Sequence, residues 1–238
     1  MTTQQLALLR APGCWASLRR AALAPVVYYA SGANHQGEIL GFAKGGVDIG
    51  VSAPKLEKDA EHALVHAAQR YGTRCLFDSG AFSEVEMTPA GPRVVAEISD
   101  RAWRERLAAA LRAAGPHLAV VAPDRVGDQA VTLARMKRYA SQVRQLAAAG
   151  AQVVVPVQRG PLPRAQFFAA ALDALGQEGI PALPMNKDAT PTRDLLAFLE
   201  EARPQALHLL GIGPRAARFP ALRALLLHQH PGLRLSCD

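Results

Sequence analysis

The chain has 238 residues, half of them hydrophobic, with 27 Lys and Arg against 20 Asp and Glu for a net charge of +7. That length suits one large domain, because α/β barrels commonly run about 200–250 residues, and no segment approaches the ~20 apolar residues of a membrane helix. The basic excess favours a polyanionic partner, although an Arg- and Ala-rich composition alone can also produce it.

At the N-terminus Arg10, Arg19 and Arg20 flank a modest apolar stretch with no cleavage-site pattern, so no export signal is expected and a cytoplasmic location is the default. Cys14, Cys75 and Cys237 lie far apart without Cys-x-x-Cys spacing, which indicates neither a disulfide framework nor a zinc site. Trp15 and Trp103 read as packing residues.

Pro25–Ala30 reads as a strand and Val47–Val51 as another, joined by a glycine-rich link with no obvious helix. Beyond residue 50, strand candidates at 75–78, 118–123, 153–158, 180–185, 207–211 and 233–237 alternate with helical stretches near 57–70, 100–114, 128–149, 164–176, 192–202 and 215–229. Asp100 and Asp128 are placed to open two of these helices, and Gly115 and Gly150 to close two. Repeated strand–helix units imply a parallel sheet with right-handed crossovers. Eight strands predict a closed (β/α)8 TIM barrel spanning 1–238 as a single domain, lacking the final closing helix. An open doubly wound sheet is the competing architecture.

Four apolar runs finish on Asp or Gln: Leu76-Phe77-Asp78, Val120-Val121-Ala122-Pro123-Asp124, Val154-Val155-Pro156-Val157-Gln158 and Leu235-Ser236-Cys237-Asp238. In a parallel barrel those strand ends share one rim, where active sites sit. Asp78, Asp124, Gln158 and Asp238 therefore converge as candidates, with Ser79 and Gly80 beside the first. Backbone near Leu183, Pro184, Gly211 and Gly213 lets a flat ligand approach closely. A carboxylate pair suits nucleophilic or acid–base chemistry at a sugar carbon. Arg125, Arg159, Lys187 and Arg215 each follow a polar rim position, a pattern fitted to phosphates. His62 and His66 have metal-ligand spacing but no third ligand, and read as a solvated helix face, as do Arg135, Lys137, Arg138 and Arg144. Cys75 and Cys237 read as core filler.

Asp78-Ser79-Gly80-Ala81-Phe82-Ser83 resembles the Asp-Ser-Gly-(Gly/Ala)-Phe-Gln signature of the tRNA-guanine transglycosylase family. Pro123-Asp124, Val157-Gln158-Arg159-Gly160, Leu210-Gly211-Ile212-Gly213-Pro214 and Ser236-Cys237-Asp238 resemble later segments in the same order, over roughly 75–238. The resemblance implies a TIM barrel that exchanges guanine in nucleic acid for a 7-deazaguanine base, with no cofactor or metal needed. Asp238 would be the nucleophile, Asp78 the general acid/base with Ser79 beside it, and Asp124 and Gln158 the readers of the base edge. The family's zinc subdomain is absent and Ser83 stands where the tRNA enzymes have Gln, so DNA is favoured over tRNA as the partner.

Two other readings stay open. One is a barrel enzyme acting on a small phosphorylated sugar or nucleotide, with Lys187 as a Schiff-base former and the Gly-Ile-Gly turn as a phosphate cradle. The other is a non-catalytic nucleic-acid-binding subunit that pairs with an active homologue, or a homo-oligomer.

Overall fold

The computed structural model describes residues 26–89, 91–185 and 189–238. Arg10, Cys14, Trp15, Arg19, Arg20 and Lys187 lie outside these residues. In chain order the elements are β1 (Val26–Ser31), α1 (Gln36–Lys44), β2 (Asp48–Ser52), α2 (Glu61–Tyr71), β3 (Cys75–Asp78), β4 (Val85–Thr88), β5 (Gly91–Val94), α3 (Asp100–Arg112) and β6 (Leu118–Val121). Then follow α4 (Gln129–Arg138), α5 (Ala140–Ala148), β7 (Gln152–Pro156), α6 (Arg164–Leu175), β8 (Ile180–Pro184), α7 (Thr192–Ala202), β9 (Ala206–Leu210), α8 (Phe219–Gln229) and β10 (Arg234–Cys237).

Eight of the strands close into a barrel in the order β1-β10-β9-β8-β7-β6-β3-β2, with β1 pairing β10 in parallel to complete the ring. The TIM barrel is thus the architecture, and the open sheet is excluded by that pairing.

Period-two alternation builds two apolar layers. Leu76, Ala119, Val121, Val154 and Ala182 point inward with Tyr29 to fill the barrel axis. Their neighbours Cys75, Phe77, Val120, Val153, Val155, Leu183, Leu207, Leu209, Leu235 and Cys237 point outward into the layer beneath the helices. Each fully buried side chain of this size contributes about 1.5–3 kcal/mol. The inner residues are mostly small because an eight-stranded barrel leaves room for little more than its own side chains.

Four local expectations are corrected. The link after β1 holds helix α1, whose Gly37 and Gly41 blur its periodicity while Ile39 and Ala43 anchor it. The helix expected over 128–149 breaks at Tyr139, a buried residue whose hydroxyl donates to Asp100 at 2.7 Å. Helix α3 is capped by the Ser99 hydroxyl, which accepts from the Ala102 N–H, so Asp100 is its first residue rather than its cap. The connection from β3 to α3 also holds an antiparallel hairpin, β4–β5, that the apolar pattern of the sequence does not announce.

The hairpin folds over the barrel rim. A side chain at Gly127, in the loop after β6, would meet the Pro92 ring of the hairpin at 2.5 Å, so that ring packs directly on the loop backbone.

Candidate active site

A cup of about 250 Å³ opens at the C-terminal ends of the strands. Its lining combines polar residues, Asp78, Ser79, Asp124, Gln158 and Asp238, with apolar ones, among them Phe82, Val121, Pro156, Pro184 and Leu210. The polar residues come from four strands or the turns directly after them: parity brings in Asp78, Gln158 and Asp238, whereas Ser79 and Asp124 are out of step with their strands and enter through the turns. Leu76 and Asp78 face in together, as do Val154, Pro156 and Gln158, and Ser236 and Asp238.

The three carboxylates are held differently. Asp124 is 4% exposed, and both its oxygens are engaged: the Ser79 hydroxyl donates to Oδ1 at 3.0 Å and the Gln158 amide to Oδ2 at 2.8 Å. Its carboxyl is pushed up to about 7, chiefly by burial and then by the Asp78 charge, against the pull of Ser79, Arg135 and Gln158.

Asp78 uses one oxygen only. Its Oδ2 accepts from the Gly80 N–H at 3.2 Å and lies 3.5 Å from the Ser52 hydroxyl, and Oδ1 has no partner among the described residues. Burial raises its carboxyl above the ordinary range, and the Asp238 charge raises it further.

Asp238 is likewise half-engaged. Its Oδ1 accepts from the Gly211 N–H at 2.8 Å and sits 3.3 Å from His208 Nε2, while Oδ2 has no partner among the described residues. Its side chain is thus fixed from two sides. Two carboxylates that line the same cup therefore each keep one oxygen without a partner among the described residues.

Beneath this floor lies an ion cluster. Glu84 is fully buried; Arg135 grips both its oxygens at 2.6 Å, Arg125 reaches it at 3.4 Å, and the Ile98 N–H donates to it at 2.6 Å. Burial alone would raise the Glu84 carboxyl, but these donors outweigh it and hold it low. Arg135 also donates to the Asp124 carbonyl at 2.5 Å and stacks over Trp103, 5.2 Å from the ring centre. The cluster fastens the β4–β5 hairpin and the turn carrying Asp124 to one support.

Several expected positions fall elsewhere. Leu183 has the outward parity and packs under the helices, so only Pro184 of that pair lines the cup. Gly80 and Gly211 act through their N–H groups on Asp78 and Asp238. Gly213 lies outside the cup lining, against Tyr28. Arg125 is turned inward onto Glu84 and Glu97 instead of toward a ligand, whereas Arg159 and Arg215 are exposed beyond the cup. The basic run on α4 and α5 is no continuous wet face either: Arg135 is buried, Arg138 pairs with Asp100 and Arg144 donates to the Leu175 carbonyl. His62 and His66 are exposed, and the described residues contain no group of three metal-ligating side chains.

His208 is the residue that sequence reasoning missed. It is fully buried at an inward position of β9, with Nδ1 2.9 Å from the Ser236 hydroxyl and Nε2 facing Asp238. The signal was available: in Ala206-Leu207-His208-Leu209-Leu210 the one polar residue shares parity with the cup-lining Leu210.

No protein-family model and no curated protein sequence matches the chain. Solved structures share its fold at low identity. A Thermomonospora fusca β-mannanase in complex with mannohexaose superimposes with a TM-score of 0.55 and 13% identity, over 90% of this chain and 77% of that one. A D-allulose 3-epimerase from a Methylomonas species gives 0.50 and 14%, over 89% and 84%. The YdjI aldolase of Escherichia coli K12 gives 0.49 and 10%, over 94% and 78%. What they share is the barrel.

The transglycosylase resemblance is thereby overturned, and with it the reading of a DNA-modifying guanine exchange: no family model supports it, and the structural neighbours carry the names of sugar enzymes. The structure supplies another reason for the motif. Asp78-Ser79-Gly80 is a tight turn at a strand end, where Gly80 adopts φ +73° against Pro54 and the Ser79 hydroxyl bridges the Ala81 N–H and Asp124. Any barrel that must place two carboxylates side by side can use such a turn.

Proposed function

We propose that the protein is an acid–base enzyme acting on a small sugar-type substrate. The observation that carries this reading is that Asp78 and Asp238 line one cup and each keeps an oxygen without a partner among the described residues, while Asp124 is tied down by Ser79 and Gln158. A cup of about 250 Å³ falls below the ~300–1,000 Å³ usual for drug-sized ligands, which favours a substrate of about one ring. Its mixed lining suits a sugar, whose hydroxyls can meet carboxylates while its C–H groups meet apolar side chains such as Phe82, Pro156 and Leu210. The mannanase and epimerase that share the fold bear sugar names, which is consistent with this choice.

The roles follow from the electrostatics. Asp78 is assigned as the acid, because burial and then the neighbouring Asp238 charge raise its carboxyl above the ordinary range and so favour its protonated form. Asp238 is the base: Oδ2 takes a proton from the substrate while Asp78 hands its own, from Oδ1, to a substrate oxygen. As Asp238 is neutralised its hold on the Asp78 proton weakens, so the two transfers assist each other. Asp124 and Gln158 form the rigid wall against which hydroxyls are ordered.

The test is a panel of small aldoses, ketoses and their phosphates incubated with the protein in D2O, read by NMR for deuterium incorporation and product. Turnover of at least one member is expected, with Asp78→Asn and Asp238→Asn each slower by about 10²–10⁴-fold. A folded protein that alters no member of the panel, or variants that keep full rate, would overturn the reading.

A further inference from the structure

We infer that His208 is a positioning residue: from inside the barrel it fixes the rotamer of Asp238 so that only Oδ2 faces the cup. The inference rests on the acid–base reading of that cup. His208 has no exposure and sits between Ser236 and Asp238, at 2.9 Å from one through Nδ1 and 3.3 Å from the other through Nε2. Its ring also stands 6.1 Å from that of Tyr29, which closes the remaining side.

The hydrogen bonding defines a direction. A carboxylate only accepts, so the Nε2 facing Asp238 must carry the proton. In the neutral ring Nδ1 is then an acceptor, filled by the Ser236 hydroxyl. That hydroxyl borders a second cavity of about 190 Å³ at the opposite mouth of the barrel, lined there by Arg74 and Arg234. Ser236 is thus an anchor remote from the substrate, and the Ser–His–Asp order runs from the anchor toward the reacting carboxylate. A buried imidazole must satisfy both ring nitrogens, and here both partners come from β10 and the residue directly after it, one of them the reacting carboxylate; an apolar residue of similar size would fill the position with no polar group to satisfy.

Two readouts decide the matter. In ¹⁵N-histidine-labelled protein, with the His208 signals assigned by their loss in His208→Gln, Nε2 should be protonated in the wild type. Its resonance should move in Asp238→Ala, and that of Nδ1 in Ser236→Ala. A neutral ring protonated on Nδ1, or His208 signals unmoved in Asp238→Ala, would overturn the inference. These spectra need no substrate, so a protein inert toward every sugar would sink the functional reading yet still decide the role of His208. Where a sugar from the panel turns over, His208→Phe should lower kcat by about ten- to a hundredfold, since misplacing a reacting group by about 1 Å can cost about 10²-fold, with KM little changed. His208→Gln, which keeps a donor near the Nε2 position, should restore much of that loss. Equal kcat in both variants, per folded molecule, would assign His208 a packing role only.

Discussion

The Gln158 side-chain nitrogen donates to Asp124 Oδ2 at 2.8 Å, and its oxygen accepts from the Gly127 N–H at 2.9 Å. One amide therefore links the end of β7 to both sides of the loop after β6. Every polar atom of that side chain is committed, so Gln158 shapes the cup as a wall and leaves the free chemistry to Asp78 and Asp238.

Replacing Gln158 by Leu removes both bonds at once. Asp124 Oδ2 loses its donor, at a cost of about 1–3 kcal/mol for a buried group, whereas the Gly127 N–H, on an exposed residue, can turn to water. Urea denaturation of Gln158→Leu should show a loss in that range, and Ser79→Ala, which strips Oδ1, a smaller one. Loss of either donor also raises the Asp124 carboxyl further, since both lower it in the native protein.

Asp124 should leave a mark on stability against pH. Its folded value of about 7 lies above the ordinary 3.8, so between those limits the native state holds a proton that the unfolded chain has released. By linkage, stability falls as pH rises through that window, and the part due to Asp124 is fully present only below about pH 4. Urea titrations of wild type and Asp124→Asn at several pH values should show the wild-type advantage shrinking by a few kcal/mol from pH 4 to pH 7. A constant difference would mean that Asp124 is ionised throughout.

Glu84 should behave oppositely. Its lowered carboxyl contributes stability above the ordinary 4.5 that is lost as pH falls through the folded value. Glu84→Gln leaves Arg135 buried, 9% exposed at its side chain, with no counter-charge. Breaking a buried pair from one side costs about 3–5 kcal/mol. Because Arg135 also holds the Asp124 carbonyl, turnover should fall with stability. A double change to Glu84→Leu with Arg135→Met should recover part of the stability, because it removes both charges together.

Much of the barrel was legible because its strands are short, apolar and buried on both faces, and end in polar residues. Asp78, Gln158 and Asp238 could be placed at one rim from those endings alone. What escaped reading depended on side-chain parity and on partners distant in sequence. Leu183 and Pro184 look equivalent in the chain, yet one faces the helices and the other the cup. Arg125 follows Asp124 as a ligand-binding cation would, but Glu84, 41 residues away, claims it. The six-residue motif at Asp78 misled for a related reason, since the turn geometry it encodes serves any site at a strand end.

Gly80 gives the sharpest test of that turn. Its φ of +73° is a region that residues with a Cβ enter at a cost of about 1–2 kcal/mol. A Cβ there would also lie 2.3 Å from Pro54 Cδ and 2.6 Å from Pro54 Cγ. Gly80→Ala must therefore shift the turn, and with it the N–H that holds Asp78 Oδ2. Stability should drop by more than the backbone term alone, and turnover of any sugar substrate should drop with it, because Asp78 would lose the N–H that holds its carboxylate in place. Pro54→Ala in the same chain removes the clash but not the φ cost. The double variant should thus regain the steric part and retain a deficit of about 1–2 kcal/mol in urea denaturation. If Gly80→Ala is as stable and as active as the wild type, the turn does not position Asp78.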